Sequence, residues 1–171
     1  MIKGERIQLI PLNDECFSLT LNWINDPDLR YFTGSRFPVS KTEHEQWFHQ
    51  KATDKFNKTY AIQIIDTNCI IGIAGNNDYD PINRTTNPFI YIGDLNYRSK
   101  GYGVEAFSLI LSFCFNYLNV HRVYGFFFKY NNASQKMLEK CGYHYEGTLK
   151  EHWFKDGIYH DVVVMGKNTN K

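Results

Sequence analysis

The chain has 171 residues, about one domain by size, and its 43% hydrophobic and 16% aromatic content is enough to build a core. Nineteen Lys and Arg residues face 18 Asp and Glu, a formal net charge of +1. That balance supplies no field to draw in nucleic acid or an anionic membrane, so neither is an expected partner.

The first predicted element is a short strand from Arg6 to Ile10, ended by Pro11. Asn13 or Asp14 can cap a helix running to about Trp23, and Asp26-Pro27-Asp28 reads as a turn. Ser40-Lys41-Thr42-Glu43 has the form of a capping box, so a helix through Trp47 and Phe48 should follow. Tyr60 to Ile65 and Ile70 to Ala74 flank Asp66-Thr67-Asn68 and read as a hairpin. A turn from Pro81 to Arg84 leads to a strand from about Phe89 to Gly93. The clearest helix runs from Tyr102 to Leu118, with Val104, Phe107, Leu111, Phe115 and Leu118 on one stripe. Val123 to Phe128 is an apolar strand, and Ala133 to Cys141 a short helix stopped by Gly142. Two strands around Tyr143–Phe154 and Ile158–Met165, joined at Asp156-Gly157, close the chain. Strands and helices mixed along one chain argue an α/β or α+β sheet protein, and no linker divides residues 1–171 into more than one domain.

Cys16, Cys69, Cys114 and Cys141 stand singly in apolar runs, without a CxxC pair or a histidine at zinc-ligand spacing. They read as reduced structural thiols, which suits a cytoplasmic protein without a metal. The opening residues Met1 to Arg6 carry charge but no apolar segment, so no signal peptide is expected there. His44, His49, His121, His144, His152 and His160 have no metal spacing and are expected on the surface or in the sheet. Trp23, Tyr31 and Trp47 are expected to serve mainly as core.

Arg98-Ser99-Lys100-Gly101-Tyr102-Gly103 carries the chemistry: a strand ends, a glycine-containing loop follows, and the long helix begins. Amides at a helix start are unpaired and carry the positive end of the helix dipole, and glycines let a phosphate approach them. Arg98 and Lys100 add positive charge. An ordinary strand-to-helix turn with solvated basic residues fits the same spacing.

Arg98-x-x-Gly101-x-Gly103 resembles the pyrophosphate-binding signature of the GNAT acetyltransferases, (Q/R)xxGx(G/A). Asn131-Asn132-Ala133-Ser134 followed by Glu139-Lys140-Cys141-Gly142-Tyr143 resembles the next helix of that family. Glu146-Gly147-Thr148-Leu149 and Asp156 to Asp161 are similar to the subgroup that holds ribosomal-protein and polyamine N-acetyltransferases. The resemblance runs in order from about Arg6 to Gly166. It implies the GNAT fold, a mixed sheet with two splayed parallel strands flanked by helices, here near Phe89–Gly93 and Val123–Phe128. It implies acetyl-CoA as co-substrate, its thioester arm along the strand holding Ile90 and Ile92 and its pyrophosphate on the amides from Ser99 to Gly103. It sets Asn131 and Ser134 beside the pantetheine arm. The acceptor would be an amine: an amino sugar, an aminoglycoside, a polyamine or a protein N-terminus, and the resemblance lays the helical region of Trp23, Tyr31 and Trp47 over its site. A homodimer enters by family analogy alone.

The sequence departs from the family at two places. Asn87 stands where relatives carry a glutamate base, and Leu138 where many carry a tyrosine acid. Ser134 and Asp78 are the substitutes for catalysis, although a helix-side hydroxyl bonded to backbone and a solvated turn carboxylate are the plainer readings of them. Glu105 and Glu146 read as structural. A free primary amine with pKa near 10 is roughly a thousandth neutral at pH 7, so deprotonation costs about 4 kcal/mol. A catalytically silent acyl-CoA-binding module is the competing reading, favoured by the two missing groups.

Overall fold

The computed structural model describes residues 1–169. Its strands are β1 (Ile2–Lys3), β2 (Ile7–Pro11), β3 (Thr59–Ile64), β4 (Ile70–Asp80), β5 (Thr85–Ile92), β6 (Arg122–Phe128), β7 (His144–Lys155) and β8 (Ile158–Asn168). They form one mixed sheet in the order β1-β2-β3-β4-β5-β6-β8-β7. The helices are α1 (Asp14–Asn25), α2 (Pro27–Phe32), α3 (Lys41–Thr53), α4 (Tyr102–Asn116) and α5 (Asn132–Lys140).

Local chemistry explains most of these boundaries. The Asn13 side chain accepts from the Cys16 amide and starts α1, and both halves of the Ser40–Glu43 capping box form at α3. Asp26-Pro27-Asp28 is not a turn. The Asp26 carboxylate caps the Leu29 amide, Pro27 takes the first helical position, and α2 begins there. Asp156 and Gly157, at φ 51° and 80°, make the left-handed corner that joins β7 to β8. Gly142, at φ 81°, ends α5.

α4 buries Ala106, Phe107, Ile110, Leu111 and Cys114 against the sheet, each large side chain contributing about 1.5–3 kcal/mol. Its buried stripe is thus rotated from the expected one: Val104, Phe115 and Leu118 pack only at its edges. α1 and α3 cover a second cluster built on Cys16, Ala61 and Ile70 with Trp23 and Phe48. Cys69 departs from its expected apolar setting and lies exposed at the turn before β4.

β5 and β6 are the parallel pair that positions the site. They are in register only at Thr85↔Arg122 and Thr86↔Val123, and then diverge. Buried Asn76 pins the last paired residue: its amide donates to the Thr86 hydroxyl and to the Phe56 carbonyl, and its carbonyl oxygen accepts from the Lys58 amide. Two residues on, Pro88 has no N–H to give to any ladder, which removes a donor at the point of divergence.

Candidate active site

A cavity of about 560 Å³ opens where β5 and β6 part. Alternate residues of a strand face opposite sides of a sheet. Asn87, Phe89 and Tyr91 therefore face α1 and α3, as the edge-on Trp23–Tyr91 pair and Lys51 over the Phe89 ring attest. Ile90 and Ile92 face α4, within the main core. The cavity joins the two sides, drawing His44, Trp47 and Lys51 from α3 and Ser134, Met137 and Leu138 from α5.

The glycine loop sits at the end of β5. Ser99 and Gly101 are left-handed, at φ 60° and 86°, and Gly101 offers α4 no side-chain cap. Among the described residues, the amides of residues 99–104 donate to no protein group. Six undonated amides at a helix start, two of them in left-handed residues, form a concavity suited to phosphate oxygens. The loop is fixed from its outer side. Glu105 Oε1 accepts from the amides of Glu5, Arg6 and Ile7, and Oε2 pairs with Arg6 Nε at 2.9 Å. Arg6 also donates to the Lys100 carbonyl and lies over the Tyr102 ring. Nothing in the sequence singled out Arg6; the carboxylate in the first turn of α4 was the available signal. Arg98 keeps its positive charge beside the loop and is also a tether. Its guanidinium donates to the carbonyls of Ile92 and Gly93 and ties the loop to β5. Ser99, Lys100 and Gly101 are exposed, and a β-carbon at Gly103 would sit 3.8 Å from Met137 Sδ, on the cavity wall.

Ser134 lines the cavity, and among the described residues its hydroxyl has no hydrogen-bond partner. Its amide donates to the Asn131 side chain, which also donates to the Phe32 carbonyl, so Asn131 is largely occupied as the α5 cap. Asp78 is exposed at the irregular end of β4, at φ 54°, and is not part of the cavity lining. Asn87 and Leu138 both line it. Glu146 is held by Arg122 through both carboxylate oxygens, and Asp161 by Lys150 and the Glu151 amide.

His44 was expected on the surface or in the sheet but is buried on α3, 3% exposed, and lines the cavity. Its Nε2 lies 3.2 Å from the Phe17 carbonyl and 2.9 Å from the Thr20 hydroxyl. A carbonyl only accepts, so Nε2 carries the proton and Nδ1 a lone pair. Burial pushes its pKa below the usual value, which favours the neutral ring. Tyr31, expected in the core, is half-exposed and tilted over Tyr130. Burial raises the Cys16 and Cys141 thiols and pushes Cys114 up to about 12. Among the described residues, no cluster of His, Cys, Asp and Glu could hold a metal, and no helix is long and apolar enough to cross a membrane.

A splayed parallel pair enclosing a cleft, with undonated amides beside it, is the arrangement that the GNAT resemblance implies. The acetyltransferase (GNAT) domain profile matches residues 6–144, and the chain belongs to that family. An N-acetyltransferase from the SPbeta prophage of Bacillus subtilis (strain 168) is 27% identical over 164 residues, 95% of this chain and 90% of the relative. Spermidine N(1)-acetyltransferase of Vibrio cholerae is 26% identical over 123 residues, 72% of this chain and 70% of its own. A crystal structure of spermidine N-acetyltransferase from Vibrio cholerae, in complex with CoA and spermine, shares the fold with a TM-score of 0.89, at 22% identity over 98% of both chains. By class the protein is an acetyl-CoA-dependent N-acetyltransferase.

Proposed function

We propose that residues 1–171 act as one domain that acetylates a primary amine of low charge, by direct attack of the neutral amine on the thioester of acetyl-CoA. Acetyl-CoA supplies the activated acyl carbon. The undonated amides of the loop and α4 would hold its phosphates, and the edge of β5 with Ile90 and Ile92 would hold its arm. The amine enters on the α1–α3 side, where His44 offers a lone pair to take its proton. Ser134 is suited to donate a proton on the other side of the cleft.

The observation that carries this reading is the passage through the sheet at the β5–β6 splay, which joins an imidazole-lined chamber to the α5 side, where Met137 on the cavity wall lies against Gly103 of the glycine loop. The relatives named for spermidine make polyamines an obvious alternative. No carboxylate lines this cavity, and Lys51 does. An ammonium about 5 Å from Lys51 meets roughly 3 kcal/mol of repulsion at an effective dielectric of 20. An acceptor with a single, weakly basic amine avoids that cost and the larger part of the deprotonation penalty.

Thiol release from acetyl-CoA against a panel of amines tests the reaction, and kcat against pH tests the proton acceptor. The wild type should level off once His44 is neutral, below the usual imidazole range. His44→Gln keeps a donor for the Phe17 carbonyl but should climb about tenfold per pH unit to the amine's own pKa. Matching profiles would remove His44 from the mechanism, and release with no amine would end the acetyltransfer reading.

A further inference from the structure

On the cavity wall, just past the last β5–β6 rung, three donor side chains meet. Asn77 and Asn87 are cross-strand partners in β4 and β5, and both line the cavity. Lys51, from the last turn of α3, donates to Asn77 Oδ1 at 2.5 Å and lies 6.0 Å from the centre of the Phe89 ring. That bond fixes the Asn77 amide with its oxygen toward lysine, leaving its NH₂ without a protein partner among the described residues. One of three ammonium protons is used, and the Asn87 amide has no partner there. Two carboxylates are near enough for Lys51 to sense, Asp54 and Asp78, and neither enters the cavity. Asp54 accepts from the amides of Phe56 and Asn57 and from the Asn57 side chain, and Asp78 is exposed. Half-burial weakens the hydration of the ammonium, so an anion brought into the cavity meets a poorly solvated cation.

We infer that Lys51, Asn77 and Asn87 form an oxyanion subsite, and that the acceptor is an amine carrying a carboxylate or phosphate on the same molecule. The inference rests on the acetyltransferase reading and narrows it to a substrate class. The same donors that repel a polyamine give an amino acid or a phosphorylated amine a charge-assisted anchor, with its amine left free on the α1–α3 side.

Matched acceptors that differ only in the anion provide the test: β-alanine against propylamine, and O-phosphoethanolamine against ethanolamine, with rates referred to the free-base concentration. At least one anionic member should exceed its partner in kcat/KM by about tenfold or more. The ratio should fall to near 1 in Lys51→Met, and also in Lys51→Gln, which keeps a donor for Asn77. A wild type that prefers the uncharged members or treats them alike overturns the inference and leaves the acetyltransferase reading standing. A ratio that survives both substitutions overturns it too. A second arm needs no turnover: O-phosphoethanolamine is titrated into the CoA-loaded protein while the fluorescence of Trp47 and Trp153, both on the cavity wall, is followed. Saturable quenching that disappears in Lys51→Met supports the subsite, and its absence in the wild type refutes it. Loss of thiol release with every amine, alongside intact quenching, would sink the enzymatic reading alone.

Discussion

Gly103→Asp separates a phosphate-binding loop from an ordinary helix start. A β-carbon at Gly103 meets only Met137 Sδ at 3.8 Å and an Ile92 carbon at 4.0 Å, both ordinary contact distances. Gly103 is the second residue of α4 and takes no left-handed conformation, so Gly103→Ala should fold and gain up to about 1 kcal/mol of helix propensity. Aspartate adds charge at the same place, and near a helix N-terminus that charge is itself tolerated. Any loss must therefore fall on the ligand. A carboxylate about 5 Å from one phosphate charge costs roughly 1–3 kcal/mol across effective dielectrics of 80 to 20. Competition for the same amides adds to that. Calorimetric titration with acetyl-CoA should show Gly103→Ala within a few-fold of wild type and Gly103→Asp weaker by about ten- to a hundred-fold or more. Equal affinity in a folded Gly103→Asp protein would refute the assignment of phosphate to these amides. Equal losses in both variants would show a steric effect rather than an electrostatic one.

Glu105→Ala strands the amides of Glu5, Arg6 and Ile7 and should cost about 1–3 kcal/mol in urea denaturation. Burial pushes the Glu105 carboxyl up, but the Arg6 and Ile7 amides and the Arg6 guanidinium hold it below the usual value. Its contribution is therefore complete above about pH 4.5 and fades as pH falls through the folded value, and Glu105→Ala should flatten the acid limb of stability against pH. Lys155 is buried and donates to the carbonyls of Arg30, Tyr31 and Thr33 at the end of α2. Lys155→Met leaves the Thr33 carbonyl without a donor among the described residues, while Arg30 keeps the Thr33 amide and Tyr31 the Tyr130 hydroxyl, and should lose about 1–3 kcal/mol, read by the same denaturation. No acetyl-cysteine should be trapped by mass spectrometry, because burial raises Cys16, Cys114 and Cys141 away from the thiolate form. An acetylated cysteine would replace direct transfer with a two-step route.

Much of the fold was legible because its signals are local. The Ser40–Glu43 box, the Asp156-Gly157 corner and the Gly142 stop each act within a few residues, and each forms as read. α2 was missed because Asp26 and Pro27 signal a turn and a helix start with the same letters. Sheet order was not readable, since alternation tells a strand which face is buried but not which neighbour it has. The loop was legible from Gly101 and Gly103, yet the role of Arg98 was not. A basic residue beside a phosphate loop invites a charge argument, while its planar fork fits two strand-end carbonyls equally well.

α3 shows why the acceptor side stayed hidden. Its sequence is polar nearly all round, and a search for apolar periodicity finds only Trp47 and Phe48. Yet His44, Trp47, Phe48 and Lys51 stand at i, i+3, i+4 and i+7, the spacing of a single helix face. Counting only apolar residues discards the first and last members of that stripe. In a core such a face would be aliphatic, since a buried imidazole and a half-buried ammonium both pay for desolvation. A helix that turns His44, Trp47 and Lys51 inward is facing a chamber, while Phe48 beside them packs on the second core cluster. Aromatic sides exclude water there, while the polar groups wait for a ligand to complete their hydrogen bonds. The same logic separates Asn87 from Asn76, eleven positions apart on neighbouring strands. Asn76 spends its side chain on Lys58, Phe56 and Thr86 and is structural, whereas Asn87 has no side-chain partner among the described residues and faces the cavity. Identity and spacing alone do not distinguish the two; unspent hydrogen-bonding capacity at a cavity wall does.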